Sequence, residues 1–299
     1  MQKRKGARLG QHFLKHGWAA AKLAHAVPLR EGEVFLEIGP GKGVLTKELL
    51  KLGHVVAIEK DPMLVEKLRE TFAQEIKTNN LNLIAGDVRD VLVSAEPLKM
   101  TPDARRGESG VRGVGNPTMS AMLRLRNNAD GAVLSGGYIV AANIPYYITG
   151  EIIRQLLTTD KQPRAMALLV QKEVADRIVA RDGKESILSL SVKAYGTARI
   201  IAKVSKSHFS PPPSVDSAIL VIENISKRFF DTISETEFFA LVHVGFASKR
   251  KMLAGNLSRT YDKKVVSAAF AQCGISKKAR AEDIGLSEWK CLVATLHKH

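Results

Sequence analysis

At 299 residues, with 45% hydrophobic and 25% charged side chains, the chain has an ordinary soluble composition and the length for one large domain, or a large one plus a small one. Lys and Arg outnumber Asp and Glu by 45 to 30, and the resulting charge of +15 favours a polyanionic partner such as nucleic acid. No apolar stretch reaches the length of a membrane span, and no hydrophobic core of a secretion signal follows the basic N-terminus, so a span is excluded and a cytoplasmic location is expected.

The chain opens on a basic arm in which Lys3, Arg4, Lys5, Arg8, Lys15, Lys22 and Arg30 all precede the first acid, Glu31. Such a cluster suits a phosphate backbone. Short apolar, β-branched runs then recur at 34–38, 55–59, 81–85, 138–142 and 165–170, separated by helical patterns. That alternation predicts a doubly wound, mostly parallel sheet with helices on both faces. Asp61-Pro62 marks one helix start, an N-cap followed by proline at the first helical position, ahead of Met63, Leu64, Leu68 and Phe72. The runs at 200–204 and 218–222 flank the turn Ser210-Pro211-Pro212-Pro213, with no room for a helix, and are expected to close the sheet as an antiparallel pair.

Three strand ends carry a ligand-binding pattern. After the first strand, Glu37-Ile38-Gly39-Pro40-Gly41-Lys42-Gly43 spaces its glycines G-x-G-x-G, so the backbone passes close beneath a ligand at the start of a helix. The acid at Glu37 suits a ligand carrying an amine and a sulfonium better than one carrying a pyrophosphate. Glu59 ends the second strand, placed to accept the hydroxyls of a ribose. Asp87 follows the third strand, where it can accept from an adenine amine while Val88 offers its backbone amide. Acids and glycines at the ends of neighbouring strands point to S-adenosylmethionine.

The segment 98–137 breaks the alternation with seven glycines and five arginines, and reads as a mobile surface insertion. Directly after the fourth strand stands Asn143-Ile144-Pro145-Tyr146. The Asn143 side-chain oxygen and the Ile144 carbonyl would accept from an exocyclic amine and localise its lone pair, Pro145 would stiffen the turn, and Tyr146 would stack on the base. An ordinary strand-end turn is the bland alternative. Phe209 is the candidate second ring of a sandwich around that base, or a core aromatic; of the tyrosine pair, Tyr147 is expected in the core. No strong general base is required, because the amine becomes acidic only once the new bond has formed.

Past Asn224 the strand signal ends. Ser234 and Glu237 form a capping box, and helical patterns run to the end, which predicts a helical C-terminal domain at 227–299 behind a catalytic domain at 1–226. A second basic cluster, Lys249-Arg250-Lys251, is a further candidate for phosphate contact, with Arg259, Lys263 and Lys264 following. Cys273 and Cys291 match no metal or redox spacing and are expected to be inert thiols in a reducing compartment.

Over nearly its full length the chain resembles the ribosomal small-subunit RNA adenine dimethyltransferases. The matching motifs are Gly10-Gln11-His12-Phe13-Leu14, Glu37 to Gly43, Asn143 to Tyr146, Gln171-Lys172-Glu173-Val174, Phe209 to Ser217 and Arg280-Ala281-Glu282-Asp283. The resemblance implies a Rossmann-like, seven-stranded methyltransferase sheet with a small all-α C-terminal domain. It also implies dimethylation of the N6 amines of two adjacent adenosines in a hairpin loop near the 3′ end of small-subunit RNA. His12, Leu14, Lys60 and Asn143 join the implied cofactor contacts; the implied partner is ribosomal RNA in the small subunit or its precursor, bound by a monomer that needs no metal. Two features depart from the family: His12 stands where asparagine is usual, and the 98–137 segment is longer than the family's connection. Three alternatives remain: a macrolide-resistance type large-subunit methyltransferase, a non-catalytic assembly or transcription factor, and a nicotinamide-dependent oxidoreductase, which the glycine spacing disfavours.

Overall fold

The computed structural model describes residues 12–15, 17–93 and 137–296. The basic arm residues Lys3, Arg4, Lys5 and Arg8, and the expected insertion short of Gly137, lie outside the described residues.

Each predicted apolar run forms a strand, and each strand is flanked by the helix its pattern requires. A short strand β1 (Phe13–Leu14) leads into α1 (Gly17–Ala24), followed by β2 (Val34–Ile38), α2 (Val44–Leu49), β3 (Val55–Glu59), α3 (Pro62–Thr71), α4 (Ala73–Lys77), β4 (Leu81–Ala85) and α5 (Val88–Val93). After residue 137 come β5 (Tyr138–Asn143), α6 (Thr149–Thr158), β6 (Ala165–Gln171), α7 (Lys172–Ile178), α8 (Ile187–Tyr195), β7 (Thr197–Val204), β8 (Phe209–Ser210) and β9 (Ser217–Glu223). The C-terminal helices are α9 (Glu235–Gly245), α10 (Leu253–Leu257), α11 (Lys263–Gln272) and α12 (Leu286–Leu296).

Seven strands make one sheet in the order β4-β3-β2-β5-β6-β9-β7. The pairs from β4 through β6 are parallel, and β9 is antiparallel to both of its neighbours. The chain therefore reverses direction across the sheet between β2 and β5, and a crevice opens beyond their C-terminal ends. Period-two alternation divides the strand side chains between two hydrophobic clusters. Phe35, Ala57, Ile139 and Leu169 pack on one face with Leu23 of α1 and Leu49 of α2. Leu36, Val140, Leu168 and Leu220 pack on the other with α6 and α8, and this cluster continues into Phe238, Leu257, Phe270 and Trp289 of the C-terminal helices.

Local signals hold in detail. Asp61 Oδ1 accepts from the Met63 amide at 2.9 Å and caps α3. Ser234 Oγ accepts from the Glu237 amide at 3.3 Å at the start of α9, one of the two bonds of the expected capping box. The apolar face of α3 differs from the expectation: Val65 and Leu68 are buried, while Met63 is 82% exposed because it sits on the outer side of the first turn. A second, two-stranded sheet was not expected, in which β1 pairs antiparallel with β8 through Phe13↔Ser210 and Leu14↔Phe209. The cysteine expectation is corrected as well. Cys273, capping the end of α11, and Cys291, within α12, form a disulfide, because the two helices pack together and bring their Cα atoms to 5.8 Å.

Candidate active site

The crevice at the ends of β2 to β5 is a cleft of about 270 Å³. The expected residues His12, Gly39, Gly41, Glu59, Lys60, Asp87, Val88, Asn143, Ile144, Pro145 and Tyr146 all line it. Gly39, Gly41 and Gly43 hold φ of +66°, +60° and +78°, which bends the loop under the cleft in a left-handed path open to glycine. A Cβ on Gly41 would stand 2.9 Å from the Phe13 ring, so the loop and β1 meet without room for a side chain.

The acids separate into three roles. Glu59 braces the loop: one oxygen accepts from the Gly41 amide at 3.0 Å and the other from the Asp61 amide at 2.9 Å, with each oxygen keeping a second lone pair. Glu37 is fully buried, and neither of its oxygens has a hydrogen-bond partner. Burial pushes its carboxyl up to about 8; Thr46, close by without completing a hydrogen bond, opposes the rise and Glu59 adds to it. Glu37 shares a recess of about 20 Å³ with Leu14, Gly39 and Asn143, room for about one small polar group. Asp87 is saturated with donors. The Arg89 side chain and amide and the Lys60 ammonium, at 2.7 to 3.0 Å, hold its carboxyl well below the usual range, Arg89 contributing most. An incoming adenine amine must therefore displace one of them, and the exposed Lys60 arm is the easier to move.

At the end of β5, Asn143 Nδ2 donates to the His12 carbonyl at 2.9 Å, which fixes the amide plane and leaves Oδ1 as its acceptor end. Ile144 is buried and its amide donates to the Leu169 carbonyl at 3.3 Å. Pro145 then starts a 3-10 turn at Tyr146–Ile148. The Tyr146 hydroxyl meets Ser217 Oγ at 2.8 Å; burial raises the phenol, and this hydrogen bond partly offsets the rise. The His12 ring lies against the Tyr146 ring, with centroids 5.5 Å apart, and the His12 Nδ1–H donates to the Pro211 carbonyl at 2.9 Å. Side-chain contact of His12 is thus with the acceptor wall.

Two aromatic expectations are corrected. Phe209 is fully buried beneath the sheet because its strand pairs with Leu14, and it does not line the cleft. Tyr147 is 66% exposed on the rim, because successive residues of a 3-10 turn point about 120° apart, so the neighbour of a half-buried Tyr146 turns outward. Arg89 and Ser217 were not anticipated in the site; their signals, two residues after Asp87 and directly after Asp216, were visible only once the strand ends were placed. Lys249, Arg250 and Lys251 are exposed in the turn between α9 and α10, and Lys249 lines a second cleft, of about 830 Å³, with Arg154, Arg177 and Arg181.

Residues 2–298 match the ribosomal RNA adenine dimethylase family. The chain belongs to this family. Ribosomal RNA small subunit methyltransferase A of Dehalococcoides mccartyi is 35% identical over 98% of this chain and 88% of its own length. The protein of the same name from Moorella thermoacetica is 33% identical over 96% and 91%. In structure, the chain is similar to a dimethyladenosine transferase from Plasmodium falciparum, with a TM-score of 0.71 at 23% identity over 96% of this chain and 98% of that one. It is also similar to the 23S rRNA methyltransferase ErmE, at a TM-score of 0.65 and 22% identity over 95% and 99%. Those two likenesses show a shared fold. As a member of the family, the protein is an S-adenosylmethionine-dependent ribosomal RNA methyltransferase.

Proposed function

We propose that this enzyme dimethylates the N6 amines of two adjacent adenosines in a hairpin loop near the 3′ end of small-subunit ribosomal RNA, acting in the cytoplasm as a monomer during ribosome biogenesis. The names of its relatives support the small subunit. The observation that carries the chemistry is Asn143, whose Nδ2 donates to the His12 carbonyl so that its Oδ1 is left as an acceptor in the cleft that Gly39 and Gly41 also line.

The residues present fit S-adenosylmethionine. The unpartnered Glu37 carboxyl offers an acceptor for an amine, and Gly39, which lines the cleft, has open space where a Cβ would stand. Glu37, Gly39, Gly41 and Glu59 would hold the methionine and ribose portions, and Asp87 and Val88 the base. When bound, the cofactor supplies an electrophilic methyl on a sulfonium. The chain's own residues do the rest. Asn143 Oδ1 and the Ile144 carbonyl accept from the adenine amine, drawing its nitrogen out of conjugation and aiming the lone pair. Tyr146, anchored through Ser217, stacks on the flipped base, a contact worth about 1–3 kcal/mol. With Phe209 in the core, His12 rather than Phe209 is the ring beside Tyr146. The exposed Lys249, Arg250 and Lys251 meet phosphates.

Purified protein with S-adenosylmethionine and immature small subunits should yield dimethyladenosine by mass spectrometry. Asn143→Ala should lower kcat about a hundredfold or more while cofactor affinity stays within a fewfold. Full activity in that variant would refute the amine grip, and dimethyladenosine appearing only in large-subunit RNA would refute the choice of substrate.

A further inference from the structure

The chain has two tryptophans with opposite surroundings. Trp289 is fully buried in α12, whereas Trp18, on the first turn of α1, is 51% exposed. Trp18 is not isolated. Its ring centroid lies 5.7 Å from that of His208 at an interplanar angle of 42°, and the Lys15 amide donates to the His208 carbonyl at 2.8 Å. Lys15 and Lys206 are exposed beside this ring pair, and among the described residues neither takes part in an ion pair. The acids of neighbouring elements are engaged: Glu48 pairs with Lys51, and Asp216 with Lys203. The patch is therefore aromatic and positive.

Its position gives it a partner. The sheet order makes β7 parallel to β6, so the turn after Val204 that carries Lys206 and His208 lies at the same sheet edge as the cleft. The β1–β8 pair then links patch to cleft in both strands. Lys15 and Trp18 follow β1 on one side, His208 precedes β8 on the other, and the far end of the pair is closed by the His12 to Pro211 hydrogen bond at the acceptor wall. An RNA strand whose adenine enters beside Tyr146 would have its next nucleotides at this rim. We propose that Trp18 and His208 form a stacking platform for an RNA base flanking the target adenosine, with Lys15 and Lys206 taking the adjoining phosphates. This rests on the RNA reading above and extends it from the reacting base to its neighbour. Base stacking on an aromatic ring is tolerant of sequence, so the platform would hold the strand in place without selecting a particular flanking base.

The buried Trp289 makes the proposal readable by fluorescence. Titrating the full chain with a synthetic hairpin RNA bearing two adjacent adenosines in its loop should quench the solvent-exposed part of the emission, and that change should vanish in Trp18→Ala. On immature small subunits, Trp18→Ala should raise KM about tenfold with kcat changed far less, and Trp18→Phe should recover most of the loss. Lys15→Ala and Lys206→Ala should each flatten the slope of log affinity against log salt by about 0.7. Binding of S-adenosylmethionine by calorimetry, unchanged in all four variants, would report an intact fold. Unquenched emission together with an unaltered KM in Trp18→Ala would overturn the platform while leaving the methyltransferase reading in place. No dimethyladenosine from the unaltered protein would instead count against that reading, and the platform would fall with it.

Discussion

Glu37 and Asp87 carry the same type of carboxyl at the ends of nearby strand positions and titrate in opposite directions, because one is buried without a donor and the other is ringed by cations. For Glu37 the folded state retains a proton up to pH about 8, whereas the unfolded chain releases it near the ordinary value of 4.5. The folded state therefore binds more protons across that window, and this group's contribution to stability falls as pH rises through it. At about 1.4 kcal/mol per pH unit the effect amounts to a few kcal/mol. Glu37→Gln removes the titration while conserving shape. Its melting temperature relative to the unaltered protein should thus climb steadily from pH 5 to pH 8, as read by calorimetry in the absence of cofactor. A difference that stays flat with pH would show that Glu37 is ionised in the fold.

At the scale of elements, the glycine loop is held between two packed rings. Gly43 has φ +78°, and a Cβ there would come 2.5 Å from the Phe72 ring and 3.1 Å from Leu68. Gly39 has φ +66° but nothing within 4 Å of its Cβ position. Gly39→Ala should therefore cost only the left-handed backbone penalty, about 1–2 kcal/mol, and Gly43→Ala roughly 2–4 kcal/mol once overpacking is added. Chemical denaturation of the two variants checks the order, and equal losses would show that α3 gives way. The same contrast explains what was legible beforehand. Strands such as Val34–Ile38 and Val55–Glu59 are buried on both faces, so they stand out as unbroken apolar runs, and Glu59, Asp87 and Asn143 line one cleft while Glu37 lines a smaller recess. Two-residue strands have no periodicity to detect, and the burial of Phe209 depends on a partner, Leu14, that is remote in the chain. The exposure of Tyr147, expected in the core, depends on a 3-10 turn whose phase no composition encodes.

For the molecule as a whole, the decisive feature is that one hydrophobic cluster runs from Leu36 and Leu168 of the sheet through Leu190 of α8 to Phe238 and Trp289, across the boundary at residue 226 that helical patterning suggests. Gly245 belongs to this contact, since a Cβ there would stand 2.3 Å from the Trp289 ring. Within that cluster the Cys273–Cys291 disulfide ties α11 to α12 across a sequence separation of 18. Closing a loop of that size restricts the unfolded chain by about 3 kcal/mol. Whether the loss is felt locally or everywhere depends on how far the packing couples the C-terminal helices to the sheet. A shared core predicts that the double variant Cys273→Ser/Cys291→Ser, or the protein in reductant, unfolds in one transition lowered by roughly 5–10 °C. Binding of S-adenosylmethionine below that transition should be unchanged, because neither cysteine approaches the cleft. Calorimetry distinguishes the outcomes. A separate early transition, with the cofactor-stabilised one left at its original temperature, would mean that α9 to α12 melt as an independent unit despite the continuous core.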